Sequence, residues 1–247
     1  MIALIAATPL ETDQLRAALD AGGELPGGFA QFHGRIGRHS VSLVLSGVGK
    51  TNAAAATALL LARSLPRLVI SFGCGGAFPG RGLDVGDLAL STEEIQGDEG
   101  AETSRGFLDM GDLGFALVQG AAGQLYNRLP ASACWRERAQ AALALTAARR
   151  RCRWQAGPFV TVSTCSGSEA RSSALAERWQ GLCETMEGAA VAQICAAFGV
   201  PFVGIRGISN LTGERDLSAW DLPRAVDAAQ QAVRELLLTL PTEEPSP

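Results

Sequence analysis

Leu68-Val69-Ile70-Ser71-Phe72-Gly73-Cys74-Gly75-Gly76 is the stretch that decides how this chain is read. Four of the first five side chains are apolar, with no polar alternation. That is the pattern of a strand buried on both faces, as in sheets covered by helices on each side. The glycines that follow let backbone come close to whatever lies beyond the strand. Upstream, Thr51–Ala62 is rich in Ala and Leu, reads as a helix and is closed by Pro66. Downstream, Asp87–Ser91 reads as another short strand.

The same alternation runs outward in both directions. Ile2–Ala7 is a short apolar strand. Pro9 suits a helix start, and Leu10, Leu15 and Leu19 predict a helix over Leu10–Leu19 that ends at Gly22-Gly23. Phe29–Ile36 and Ser40–Ser46 read as a hairpin turning at Gly37-Arg38-His39. Past the centre the reading is helix Cys134–Ala148, strand Pro158–Thr164, helix Glu169–Gln180 and strand Leu182–Met186. Helix Glu187–Phe198, strand Val200–Ser209 and helix Leu222–Leu240 complete it. The stretch from Thr92 to about Gln119, with five acids in Glu93–Glu102, is read as an active-site or interface loop. Alternating strands and helices predict an α/β chain: a three-layer α/β/α sandwich with a central mixed twisted sheet. No linker divides it, so residues 1–240 are expected to form a single domain and 241–247 a flexible tail.

Composition narrows the partners. The net charge of −4 offers no basic excess, which weighs against nucleic acid. No run reaches the ~18 apolar residues of a membrane helix. The first residues, MIALIAATPLETD, lack a basic n-region and read as a strand rather than a signal peptide. The six cysteines form no C-x-x-C pair and suit reduced, buried thiols, hence a cytoplasmic expectation. With only two histidines, His33 and His39, a zinc site or Ser-His-Asp triad has little support. Carboxylates are left to carry the chemistry, with no metal and no cofactor.

In sheets of this kind ligands bind beyond the carboxyl ends of strands. The junctions to examine are Ala7–Glu11, Ser46–Lys50, Phe72–Gly76, Thr164–Ser168, Met186–Glu187 and Ser209–Asn210. Ser46-Gly47-Val48-Gly49-Lys50-Thr51 suggests a P-loop, but the required first glycine falls at Val44. A glycine turn that points N–H groups at a ligand oxygen is the better reading. Gly75 and Gly76 suit close approach of a flat ligand. Glu11 and Glu187 can each be read as an ordinary acid in a first helical turn, and Asn210 as a turn cap.

Longer context changes those odds. Glu184-Thr185-Met186-Glu187-Gly188-Ala189-Ala190-Val191-Ala192, Gly199-Val200-Pro201-Phe202 and Arg206-Gly207-Ile208-Ser209-Asn210 resemble the purine nucleoside phosphorylase / methylthioadenosine nucleosidase family. Ser46 to Lys50 and the early Glu11 fit it too, and the likeness runs from Met1 to about Leu240, loosely over Thr92–Arg153. More narrowly the chain resembles the futalosine-cleaving branch, in its MEGAAVA and RGISN forms and its acidic stretch.

The resemblance implies hydrolysis of a purine nucleoside at its N-glycosidic bond, releasing hypoxanthine from futalosine on the route to menaquinone. It implies a small-molecule purine nucleoside partner and a homo-oligomer, dimer or tetramer. Glu11 would activate water, Glu187 would bind ribose hydroxyls and stabilise the cation, and Met186 would pack on the sugar. Gly75, Gly76, Ser46, Gly47 and Ser209 would help line the site. Adenosine-cleaving relatives carry Asp where this chain has Asn210, so an amide donor there points to a 6-oxo base. Ala170 stands near where such relatives stack an aromatic ring, and it cannot stack. The alternatives are another nucleosidase or phosphorylase of this fold, acting on inosine, guanosine, methylthioadenosine or adenosylhomocysteine, and a nucleoside-binding sensor with no catalysis.

Overall fold

The computed structural model describes residues 1–120 and 123–241. Residues 242–247, most of the expected tail, lie outside the described residues. The first strand, β1 (Ile2–Ala6), is central. It pairs in parallel with β4 (His39–Leu45) on one side and β5 (Leu68–Ala77) on the other. Its side chains alternate between two cores: Ile2, Leu4 and Ala6 feed one, Ala3 and Ile5 the other. A strand with apolar residues at every position is stable only when both faces are covered.

The covers are two helix pairs. α2 (Lys50–Arg63) and α5 (Gly188–Phe198) lie against one face. α3 (Ala133–Arg150) and α6 (Leu222–Thr239) lie against the other. The three-layer α/β/α arrangement is as expected, and the sheet is mixed. Its main path also contains β2 (Leu19–Leu25), β3 (Phe29–Ile36), β6 (Leu88–Gln96), β11 (Arg128–Pro130), β12 (Trp154–Thr161) and β13 (Cys183–Thr185). The order is β11-β6-β12-β13-β5-β1-β4-β3-β2. β14 (Phe202–Leu211) stands off this path and pairs with both β5 and β6. The strands β6, β12, β13, β5 and β14 therefore close into a ring at one end of the sheet.

Three expectations need correction. The helix over Leu10–Leu19 is absent. A 3-10 turn at Pro9–Glu11 and one α turn, α1 (Asp13–Arg16), take its place, and Leu19 starts β2. Gly22 and Gly23 lie inside that strand, where the His33 ring packs so close to Gly22 that a Cβ would stand 2.1 Å from it. Antiparallel pairing with β3 outweighs the helical spacing of three leucines.

The stretch after Thr92, expected as an active-site or interface loop, is not a loop throughout. β6 runs on to Gln96, and β7 (Gly100–Thr103) and β8 (Gly106–Asp109) form a hairpin. Its acids are engaged elsewhere: Glu93 with Arg128, and Asp98 and Glu99 with Lys50. Glu94 is fully buried. Finally, the cysteines are not uniformly buried, since Cys134 is exposed.

Candidate active site

A cavity of about 310 Å³ opens at the carboxyl ends of β1, β5 and β14. Of the residues expected at the site, Glu11, Gly75, Gly76, Met186, Glu187, Ser209 and Asn210 line it. Ser46 does not. It faces a small recess behind the cavity, shared by Glu11, Glu187, Ser71 and Arg206. Gly47 lines neither, and its neighbour Val48 reaches the cavity instead.

The turn after β1 positions Glu11. Thr8 precedes the 3-10 turn, and Glu11 folds back to accept from Thr8 N at 2.9 Å and Thr8 Oγ1 at 3.0 Å. Its other oxygen accepts from Cys74 N at 3.0 Å. That approach requires Gly73, since a Cβ there would stand 2.1 Å from Glu11 Oε1. The Cys74 thiol sits beside the carboxylate. Burial first, and then the Glu11 charge, push it up to about 12, so it is a protonated thiol and no nucleophile.

Glu187 stands immediately before α5, and its Oε1 accepts from Gly49 N at 2.8 Å. The Gly47–Gly49 turn thus serves a protein carboxylate. Burial raises the Glu187 carboxyl above its usual range, while the Gly49 hydrogen bond and the Arg206 charge pull it back. Arg206 itself is buried and donates to Ser71 Oγ at 3.0 Å and Ile205 O at 2.9 Å.

Asn210 reaches the cavity through a break in regular pairing. The register of β14 against β5 shifts between Ile208 and Asn210, so Ser209 and Asn210 both face the ligand space. In an unbroken strand one of them would point away.

Sequence reasoning missed Glu184, Ser166, Trp220 and Arg215, which also line the cavity. Glu184 accepts from Ser166 N at 2.9 Å and Ser166 Oγ at 2.6 Å. Arg215 is the one cation and Trp220 the one aromatic ring among the described lining residues. The guanidinium lies over that ring, 5.1 Å from its centroid. Ala170 does not line the cavity, so an aromatic face comes from a different segment. Glu184 is the middle residue of β13, and nothing local flags it, Arg215 or Trp220.

The arrangement can activate a water, hold a polyol and grip a flat polar ligand. A family model described as the phosphorylase superfamily matches residues 1–240. Futalosine hydrolase of Streptomyces coelicolor is 39% identical over 209 residues, covering 82% of this chain and 81% of its own. Futalosine hydrolase of Thermus thermophilus is 33% identical over 192 residues, covering 78% and 79%. The structure of 5′-methylthioadenosine/S-adenosylhomocysteine nucleosidase from Neisseria meningitidis, in complex with methylthio-immucillin-A, superposes with a TM-score of 0.81 at 28% identity. That match covers 97% of this chain and 99% of the other. The chain belongs to the phosphorylase superfamily.

Proposed function

We propose that this protein hydrolyses the N-glycosidic bond of futalosine, releasing hypoxanthine and leaving dehypoxanthine futalosine. Hydrolysis of a purine nucleoside is supported by the family and by relatives named as nucleosidases and futalosine hydrolases. The observation that carries futalosine as the substrate is the placement of Asn210 in a cavity that also holds Glu11 and Glu187.

Cleavage of this bond passes through a ribosyl cation. Glu11, held by three donors from Thr8 and Cys74, takes a proton from water as the water oxygen bonds to C1′. The C1′–N9 electron pair leaves with the base. Glu187 accepts from ribose hydroxyls through the oxygen Gly49 does not use, and its charge stabilises the cation. An amide at 210 donates a hydrogen bond to N7 but cannot give up its proton. The base therefore leaves as a hydrogen-bonded anion and is protonated by solvent.

Water is favoured over phosphate as nucleophile by charge. A phosphate beside Glu11 and Glu187 would meet repulsion of ~1 kcal/mol or more from each. Arg206 lies in the recess behind both carboxylates and is committed to Ser71 and Ile205, so it balances them. Arg215 over Trp220 offers a matched surface for the aromatic carboxylate on the 5′ side of futalosine.

A second reading, cleavage of methylthioadenosine or adenosylhomocysteine, is favoured by a Geobacillus thermodenitrificans nucleosidase for those substrates, 33% identical across 97% of this chain. The amide at 210 weighs against it, because a 6-amino group facing an NH₂ leaves two donors opposed. Hypoxanthine release from futalosine, assayed with and without phosphate beside methylthioadenosine and inosine, tests the proposal. Phosphate-independent release, fastest with futalosine, is expected; faster cleavage of methylthioadenosine overturns it.

A further inference from the structure

A second cavity, of about 320 Å³, lies at the amino ends of β1, β4 and β5, across the sheet from the catalytic one. Arg35, Arg38, His39, Ser40 and Arg67 line it together with Met1 and Ile2. Arg35 comes from β3, Arg38 and His39 from the turn into β4, and Arg67 from the residue before β5. Arg67 N donates to Met1 O at 3.1 Å, which ties the starts of β1 and β5 together. Three guanidinium groups line the cavity, and no acidic side chain among the described residues does. That concentration of one sign occurs in a chain whose net charge is −4.

A buried histidine fixes the innermost of these cations. The His39 ring is 6% exposed. Its Nε2 donates to Leu240 O at 3.0 Å, since a carbonyl can only accept, and its Nδ1 accepts from Arg67 Nη2 at 2.9 Å. Both bonds need the neutral imidazole. Burial first, with the Arg67 and Arg35 charges behind it, holds the His39 pKa below its ordinary value, against the pull of the Leu240 bond. The Arg67 guanidinium also lies over the Trp135 ring, 5.4 Å from its centroid. Its charge is therefore set in one place.

Arg35 and Arg38 stand at the exposed rim, where Arg35 Nη2 donates to Arg38 O at 2.8 Å. Neither forms an ion pair among the described residues. One exposed cation attracts an anion weakly, but several around one concavity focus their field inside it. The guanidinium fork matches the oxygens of a phosphate group two at a time.

We infer that this cavity binds a small, multiply charged oxyanion of the diphosphate type, gripped by Arg35 and Arg38 above the fixed charge of Arg67. Three guanidiniums call for more than one negative charge, and the enclosing walls call for a small ligand. The cavity shares no lining residue with the catalytic one, so the inference stands apart from the proposed reaction.

The test is calorimetric titration of inorganic pyrophosphate into the full chain at low ionic strength. Saturable binding is expected, weakened by added salt. Arg35→Ala and Arg38→Ala, both at exposed positions, should each weaken it at least about tenfold. Acetate, with a single charge, should bind at least about tenfold more weakly than pyrophosphate. No binding by wild type, or equal binding of the two anions, overturns the inference.

Two controls locate the ligand. Arg105→Ala removes an exposed cation from the turn between β7 and β8, and Arg215→Ala one from the catalytic cavity. Both should bind pyrophosphate as wild type does. Weakening by Arg105→Ala equal to that of the rim variants would mean attraction by net charge alone. Loss in Arg215→Ala would put the anion in the catalytic cavity. Either overturns the inference. Carboxylates offer similar oxygens, and the chain carries Glu243 and Glu244 beyond Pro241. Glu243→Gln with Glu244→Gln should leave pyrophosphate affinity within about threefold of wild type. Binding by that variant alone would assign the cavity to the chain's own acids and overturn the inference.

Discussion

Ser209 Oγ donates a hydrogen bond to Asn210 Oδ1 at 2.8 Å, between adjacent residues that both face the cavity. This bond and the Nδ2 bond to Leu211 O fix which way the amide points, because a reversed amide would set its oxygen against the Leu211 carbonyl. The donor is aimed into the site before any ligand arrives. Wild type should therefore prefer futalosine over its 6-amino analogue by at least about tenfold in kcat/KM, the effect of one mismatched buried polar contact. Asn210→Asp should shrink or reverse that ratio, since a protonated acid can donate to N7 while accepting from an amine. If both substrates lose equally, Asn210 acts only as a strand-end brace.

Glu11 is oriented by three donors and closed in by Gly73. Glu11→Gln keeps the shape and removes the proposed base. The expected loss is on the order of 10²–10⁴ in kcat, with a modest change in KM. Near-normal turnover in a steady-state assay removes Glu11 from proton transfer.

Glu187 accepts from Gly49 N through one oxygen, and the proposed mechanism gives the other to the ribose. Glu187→Ala should lower kcat and kcat/KM together. The 2′-deoxy substrate should be poor on wild type; cleavage as fast as the ribo form contradicts the assigned role.

Arg215 rests on Trp220 at the cavity wall. Arg215→Ala should raise KM for futalosine about tenfold and leave that for inosine, which lacks the aromatic carboxylate, nearly unchanged. A parallel rise for both nucleosides would show that the residue shapes the cavity in general.

Glu94 gives a pH-dependent stability. It is fully buried against Gly188 and Gly204, its Oε1 has no hydrogen-bond partner, and Thr161 Oγ1 is 3.5 Å from Oε2. Burial pushes its carboxyl from 4.5 up to about 8, against the pull of Arg206. The folded chain thus holds this proton more tightly than the unfolded chain. Stability falls as pH rises from about 4.5 to about 8, and the carboxylate costs nothing extra below that window. Glu94→Gln should be the more stable protein at pH 8, by about 4 kcal/mol, with the gain vanishing toward pH 4.5. Denaturant midpoints of both proteins across that range check it, and a pH-independent difference refutes it.

Glu11, Glu187 and Asn210 were legible because each sits at a strand-to-loop junction, where an α/β sheet presents its ligands. Glu184 belongs to the Glu184–Ala192 motif, but nothing in that motif marks it as a cavity residue. Its importance depends on β13 and β14 flanking β5, an order no local pattern reveals. The acids of Glu93–Glu102 looked like a functional cluster until Lys50, Arg128 and the interior claimed most of them. Leu10, Leu15 and Leu19 had helical spacing, yet the pairing of Leu19–Leu25 with β3 decided that segment.

Strand and helix alternation, both apolar faces of β1 and β5, and the glycine turns were determined by the sequence alone. They follow from side-chain periodicity and backbone sterics, which act within a few residues. Closure of the sheet through β14, the register break that turns Ser209 and Asn210 together into the cavity, and the placement of Glu184 and Asn210 on either side of Gly76 were decided only by the tertiary structure. These are contacts between residues far apart in the chain, and their energies depend on which strand lies beside which.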